Sequence, residues 1–183
     1  MDIFTKPRNS VMHFNEVYFW TATISKWRHL LKADQYKQVI IDSLNFLSDR
    51  NKVKVYAFVI MPNHFHLIWE ILEANGKETP YESFLKYTAH QFQKLLKANN
   101  PSEFELYNVE ETNRKKRYWK RDALAIKIFC REMAQQKLEY IHNNPLQAHW
   151  NLANNPEEYY SSAYDNSNNF TRFKFLFHYF DRV

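Results

Sequence analysis

An apolar hairpin constrains the fold more than any other stretch of this chain. Residues 53–70 read VKVYAFVIMPNHFHLIWE, and apart from Lys54 both the odd and the even positions of the first half are apolar. A strand with apolar side chains on both faces is typical of the centre of a covered sheet. Proline lacks an amide donor and asparagine tolerates turn dihedrals, so Met61-Pro62-Asn63 ends the ladder. The stretch therefore predicts two antiparallel strands in the protein interior.

Two histidines begin the second strand. Side chains alternate along a strand, so His64 and His66 share one face while Phe65 and Leu67 share the other. A neutral imidazole is a common metal ligand, and a rigid strand holds two of them with little reorganisation. The spacing is also common by chance, so two structural histidines with satisfied hydrogen bonds are the alternative. An apolar hairpin is an unfavourable place for imidazoles without partners, which favours a pair of ligands.

Composition limits the class of protein. The chain has 183 residues, enough for one domain, and a formal net charge of +5, which suits a polyanionic partner. Its single cysteine, Cys130, excludes an internal disulfide and a cysteine-based zinc site, and indicates a reducing compartment. No apolar run approaches the roughly 20 residues of a membrane span, and no signal peptide is recognisable. We expect a cytoplasmic protein without a membrane partner.

Hydrophobic periodicity predicts strands over 17–25, 53–60, 64–71 and 123–129, and helices over 35–50, 80–97 and 131–143. The order strand, helix, strand, strand, helix, strand is that of a ferredoxin-like α+β sandwich. We expect a four- to five-stranded antiparallel sheet with helices packed on one face. Asp34 is expected to cap the first helix and Phe46 to join its core-facing stripe. Residues 99–113 are expected to form a polar loop.

The end of the chain is apolar enough to need a covering surface. Residues 170–180 read FTRFKFLFHYF. An apolar segment of this kind packs on its own domain or on a second copy. The sequence leaves both open, so a homodimer is one expectation.

A basic run with two aromatic residues spans 114–121, RKKRYWKR, with six positive charges in eight positions. Positive charge follows a phosphate backbone and aromatic rings stack on bases, so the run suits a nucleic acid. A flexible charged loop is the alternative reading. Exposed lysines of the second helix are explained equally well by a solvated face or by phosphate contact. The candidate DNA contacts are Lys86, Arg114, Arg117 and Trp119.

The predicted helix over 131–143 carries a tyrosine that shares a face with two amides. Tyr140 lies four residues from Gln136 and four from Asn144, so a phenol and an amide point the same way. Asn144 precedes Pro145, and the alternative role for it is to end the helix.

Four segments together carry a resemblance: YAFVIMPNHFHLIWE, YWKRD, KLEYIHNNP and EEYYSSA, in this order. They resemble the single-tyrosine transposases of the HUH nuclease superfamily, in particular the REP-associated tyrosine transposases with a transposase IS-two-hundred-like domain. The resemblance spans about 17–164, leaving 165–183 as a C-terminal appendage of a single domain of this type. It implies that His64, His66 and Asn144 hold one Mg²⁺ or Mn²⁺, and that Tyr140 is the nucleophile.

The activity that the resemblance implies is the nicking and rejoining of single-stranded DNA beside a hairpin, through a 5′-phosphotyrosine. Such a protein would act at the nucleoid. A protein of the same fold that binds structured DNA or RNA without catalysis is one alternative. A nuclease that activates water is a second. A rolling-circle or conjugation nuclease is a third, and the short chain disfavours it.

Overall fold

The structure is a computed structural model that describes residues 11–111, 114–163 and 173–178, with the backbone alone at Arg114. Its α+β architecture and antiparallel sheet confirm the predicted fold class. The strands and helices, in chain order, are β1 (Glu16–Thr23), α1 (Asp34–Asp49), β2 (Val53–Ile60), β3 (His64–Ile71), α2 (Pro80–Asn99), α3 (Pro101–Glu105), β4 (Asn108–Glu111), β5 (Arg114–Lys116), β6 (Leu124–Lys127) and α4 (Arg131–Asn143).

The main sheet has the order β2-β3-β1-β6, so β1 and β3 are its central strands. The expectation that β2 is central is wrong, because it lies at the edge. Its apolar side chains are buried on both faces, under α1 on one face and α4 on the other, and later segments pair with its outer edge. Val59 forms an antiparallel bridge with Ser161, and Val55 forms a parallel bridge with Leu176. The amide of Phe177 also donates to the Val55 carbonyl at 2.8 Å, so the described part of the tail packs on its own sheet.

Helices cover both faces of the sheet. α1 and α2 pack on the face that carries Trp20 and Trp69, whose rings stack with centroids 4.8 Å apart. α4 packs on the opposite face, where its buried Ile141 meets Phe19 and Val59. The expected placement of helices on one face therefore holds for α1 and α2 alone. The face under α4 is the one toward which His64 and His66 point, because they alternate with the residues of the aromatic face.

The first residue of α1 and the position of one of its side chains differ from the sequence prediction. Ala33 is the N-cap of α1, and Asp34 is its first residue, where the carboxylate accepts from Lys37 Nζ at 2.6 Å. Phe46 is 46% exposed on α1, beneath the guanidinium of Arg50, so its assignment to the core stripe is wrong. α2 begins with a capping box at Thr79, as its Thr-Pro start favours. No helix in the described ranges has the length and apolar character that crossing a membrane requires.

The polar loop expected over 99–113 is wrong for most of its length. Asn100 accepts from the amide of Glu103 and so begins the short helix α3. Tyr107 is buried, and its carbonyl accepts from the amide of Arg117 at 2.9 Å. That contact fixes the strands β4 and β5 beside each other as a second, two-stranded sheet.

Candidate functional site

The two predicted histidines lie at the centre of the sheet, buried beneath α4. In the register of β1 and β3, Thr21 stands opposite His66 and Thr23 opposite His64. The residues His64 and His66 are 8% and 5% exposed. Their Nε2 atoms are 3.1 Å apart, so both inner ring nitrogens converge on one point.

The outer ring nitrogens determine which tautomers are present. His64 Nδ1 is 2.6 Å from the amide oxygen of Asn63, an acceptor, so Nδ1 carries the proton and Nε2 holds a lone pair. His66 Nδ1 is 2.7 Å from the Thr21 hydroxyl, which is able to accept or to donate. If Thr21 accepts, two lone pairs face each other across 3.1 Å, an arrangement that calls for a cation. If Thr21 donates, His66 Nε2–H donates to His64 and the pair satisfies itself.

Burial keeps both rings uncharged. It lowers the pKa of His64 to about 4, and the nearby His149 lowers it further. Burial also lowers the pKa of His66 to about 3, with His64 and then Lys137 adding to the effect. Both imidazoles are therefore neutral at pH 7, which is the form that binds a metal ion.

The geometry of the pair fits a divalent cation. Two nitrogens 3.1 Å apart, each about 2.1 Å from an ion, subtend about 95° at it, close to the angle between neighbouring octahedral ligands. Asn144 is 2% exposed, and its Oδ1 has no hydrogen-bond partner among the described residues. The segment that follows reaches the pair, because the Trp150 ring lies 5.8 Å from that of His64. The described residues hold no group of three or more His, Cys, Asp or Glu side chains that could hold a metal ion.

The structure brings Tyr140 to this pair. Its ring centroid is 5.1 Å from that of His66 and 5.9 Å from that of Phe19. The residue is 42% exposed, so the phenol borders the site and is open to solvent. The phenol of Tyr140 and the paired imidazoles therefore lie side by side beneath α4.

The predicted DNA contacts lie elsewhere, and one is contradicted. Trp119 is 7% exposed, and its indole donates to Thr88 Oγ1 at 2.9 Å in the aromatic core, so it is not available to stack on a base. The Arg117 side chain is 17% exposed and forms an ion pair with Glu111. Lys86 is exposed on α2 and pairs with Glu78 at 2.5 Å. Of Arg114 the structure describes only the backbone, which is paired in β5.

A basic groove of about 850 Å³ lies between α2 and residues 115–123, on the side of the sheet opposite to the histidines. Its floor includes Trp20 and Trp119. Three acidic residues, Glu78, Glu82 and Asp122, also line it. Its positively charged lining residues are Lys77, Lys86, Lys115, Lys116, Lys120 and Arg121. Positive charge exceeds negative charge among these lining residues, although Lys86, Lys116 and Arg121 each form an ion pair with a glutamate.

Sequence reasoning missed several residues of the site. Thr21 and Phe19 come from β1, and only the strand register shows that they reach His66. Asn63 was expected to serve the turn alone, yet its side chain fixes the His64 tautomer. Lys137 lies one helical turn before Tyr140, a spacing visible in the sequence, but nothing there marks it as a neighbour of the histidines.

Comparison with known proteins establishes the fold. No protein-family model and no curated protein matches the sequence. Among solved structures, the chain is similar to a REP-associated tyrosine transposase bound to a REP hairpin, with a TM-score of 0.59 and 17% identity over 89% of this chain and 86% of that one. A protein of Deinococcus radiodurans described as a transposase aligns with a TM-score of 0.38 and 18% identity, over 73% of this chain and 93% of that one. The first match shows that this chain has the fold of that REP-associated transposase.

Proposed function

We propose that this protein is a metal-dependent, transposase-like single-strand DNA transesterase that cuts and rejoins DNA next to a hairpin. One observation carries the proposal: the Tyr140 ring lies 5.1 Å from that of His66, whose Nε2 converges with that of His64. A nucleophile beside paired neutral imidazoles, which are able to hold a metal ion, is an arrangement that suits phosphoryl transfer from DNA to a side chain. The shared fold with a REP-associated tyrosine transposase supports the same assignment.

The reaction follows from the chemistry of the phenol. Tyr140 Oη attacks the scissile phosphorus and loses its proton to solvent, while the bond from phosphorus to the 3′-oxygen breaks and that oxygen takes up a proton. The products are a 5′-phosphotyrosyl DNA and a free 3′-hydroxyl. Because the phosphodiester is conserved as an ester, a later 3′-hydroxyl rejoins the strand without ATP.

A neutral phenol attacks phosphorus poorly unless charge at the phosphate is stabilised. His64 Nε2, His66 Nε2 and Asn144 Oδ1 would hold Mg²⁺ or Mn²⁺. When bound, such an ion supplies positive charge to a non-bridging oxygen of the scissile phosphate. Imidazole nitrogens are softer ligands than the oxygens that Mg²⁺ prefers, so we expect Mn²⁺ to bind more tightly than Mg²⁺.

The substrate that we propose is single-stranded DNA flanked by a hairpin. The structural neighbour is bound to a REP hairpin, and here the basic groove beside α2 is the surface suited to a hairpin's phosphates. Ala123, which lines the groove, directly precedes the edge strand β6. A strand of DNA that leaves the groove would pass around this edge to reach Tyr140 on the other face. Two of the predicted contact residues line this groove, the exposed Lys86 and the buried Trp119.

The direct test mixes the protein with labelled hairpin oligonucleotides that carry single-stranded flanks, with Mn²⁺ present, and separates the products on a denaturing gel. We expect a protein-linked DNA band, and we expect no such band when a chelator is present during the reaction. Tyr140→Phe is expected to abolish this band, because phenylalanine keeps the ring and removes the nucleophile. Tyr87→Phe is the matched control, since Tyr87 is a similarly exposed tyrosine, 45% exposed, on α2. A band of normal intensity in Tyr140→Phe would contradict the proposal.

One observation supports a second candidate, a protein that binds structured DNA without cutting it. The same 3.1 Å contact between the histidines is a satisfied hydrogen bond if Thr21 donates to His66. In that state the pair needs no ion. This candidate predicts hairpin binding that chelator and Tyr140→Phe both leave intact, with no linked band from the wild-type protein.

A further inference from the structure

α4 carries a lysine one turn before the proposed nucleophile. Lys137 and Tyr140 are three residues apart and so share a helix face. The Lys137 Nζ lies 5.1 Å from the centre of the Phe19 ring. The His66 ring lies 5.2 Å from the same ring, and the Tyr140 ring lies 5.9 Å from it. Phe19 is thus the common neighbour of an ammonium, an imidazole and a phenol.

The charge of Lys137 acts on this site. It contributes to the lowered pKa of His66, after burial and His64. No carboxylate in the described ranges forms an ion pair with Lys137, and its Nζ lies over the Phe19 ring. An ammonium that no carboxylate pairs with attracts an anion that enters the site.

We propose that Lys137 is a catalytic residue, whose ammonium contacts a non-bridging oxygen of the scissile phosphate while Tyr140 attacks. This inference rests on the proposed function. As the Tyr140 Oη bond to phosphorus forms and the bond to the 3′-oxygen breaks, Lys137 stays protonated and stabilises the charge on the equatorial oxygens. Fixed positive groups at a transferring phosphoryl group act in this way in other phosphoryl-transfer sites.

The test measures the single-turnover rate of adduct formation at saturating DNA for the wild type, Lys137→Met and Lys137→Arg. Methionine keeps the length of the side chain and removes the charge, so we expect a rate about 100-fold lower, the effect of removing one preorganised donor. Arginine restores the charge, and its rate should stay within about tenfold of the wild type. Lys52→Met is the matched control, because Lys52 pairs with Glu73 at 2.7 Å beside β2, at the edge of the sheet opposite to β6.

Two further readouts separate catalysis from structure. DNA affinity, measured in a Tyr140→Phe background, and Mn²⁺ affinity should each change by less than about threefold on Lys137→Met, since the ammonium acts during the chemical step. A Lys137→Met rate within about threefold of the wild type would overturn the inference alone. Equal losses in Lys137→Met and Lys137→Arg, or a parallel loss of Mn²⁺ affinity, would also overturn it. A wild-type protein that forms no adduct overturns the proposed function together with it.

Discussion

The two faces of β3 contrast sharply although they come from one strand of eight residues. Phe65, Leu67 and Trp69 point into an aromatic cluster beneath α1 and α2. His64, His66 and Glu70 point the other way, toward α4. The first face is apolar throughout, whereas the second combines buried apolar side chains such as Ile68 with polar groups that form hydrogen bonds.

Each polar group of the second face takes its partner from another part of the sheet or turn. His66 contacts Thr21 of β1, and Glu70 accepts from Tyr56 Oη of β2 at 2.6 Å. A buried polar group without such a partner costs free energy, so these contacts make the second face tolerable but not more stable than an apolar one. The aromatic face therefore maintains the fold, and the face that bears the histidines is available for a chemical function.

Removing an aromatic ring from the first face should have the largest effect. Phe84 is fully buried and contacts Trp20, Phe65 and Trp69. We expect Phe84→Ala to lower the free energy of unfolding by about 3 to 5 kcal/mol, measured by chemical denaturation. Phe46→Ala, at an exposed position of α1, should cost less than about 1 kcal/mol. If Phe84→Ala folds but forms adduct more than about tenfold more slowly, the assignment of stability to one face and activity to the other would be contradicted.

Removing an imidazole from the second face should lower the reaction rate strongly and the stability of the fold less. His66→Ala is expected to slow adduct formation by about 100- to 1000-fold, because the cation site loses a ligand. Its cost in free energy of unfolding should be smaller than that of Phe84→Ala. The measurement pairs single-turnover rates with denaturation of the same samples. Phe65→Leu, one position away on the aromatic face, serves as the control and should keep the rate.

Lowering the pH should reduce the stability of the folded protein, because the two buried histidines of the second face have lowered pKa values. The folded pKa values of about 4 for His64 and about 3 for His66 lie below the ordinary 6.5 that the unfolded chain would show. The unfolded state therefore binds more protons below pH 6.5. Stability is fully present above that pH and falls as pH decreases, by up to about 1.4 kcal/mol per pH unit for each ring.

Urea unfolding with chelator present, between pH 7.5 and pH 5, measures this dependence. The double variant His64→Ala/His66→Ala should show a shallower slope than the wild type. Part of the slope should remain, since burial also lowers the pKa of His142 to about 4. An unchanged slope in the double variant would mean that the pair does not titrate as its burial requires.

The smallest expected effect concerns the hydroxyl behind His66. Thr21→Val removes the 2.7 Å contact with Nδ1 and frees that ring to change tautomer. Groups that orient a metal-binding histidine are worth about 10- to 100-fold in affinity, so Mn²⁺ binding measured by calorimetry should weaken by that factor. Thr23→Val is the matched control, because Thr23 stands opposite His64 in the same strand pair. Equal effects of the two variants would contradict the role given to Thr21.

Most of the fold followed from periodicity. The long apolar elements β1, β2, β3, α1, α2 and α4 were predictable because each has a repeated pattern and turn residues at its ends. The strands β4 and β5 are short and polar, and they depend on the burial of Tyr107, which no local pattern reveals. Trp119 was misjudged for a related reason: it sits in a basic run, while its ring enters the core beneath α2.

The site was predictable where its residues share an element. His64 and His66 alternate on one strand, and Tyr140 and Asn144 are one turn apart at the end of α4, so their relations could be worked out along the chain. Thr21 could not, because its contact with His66 depends on how β1 pairs with β3.

The most direct test of the central claim is to identify the residue that carries DNA. After reaction with a hairpin substrate and Mn²⁺, the protein is digested and the DNA-linked peptide is identified by mass spectrometry. We predict a single linked peptide from α4, with the 5′-phosphate of the DNA on Tyr140. Linkage to a different tyrosine, or cleaved DNA with a free 5′-phosphate and no attached peptide, would contradict the account.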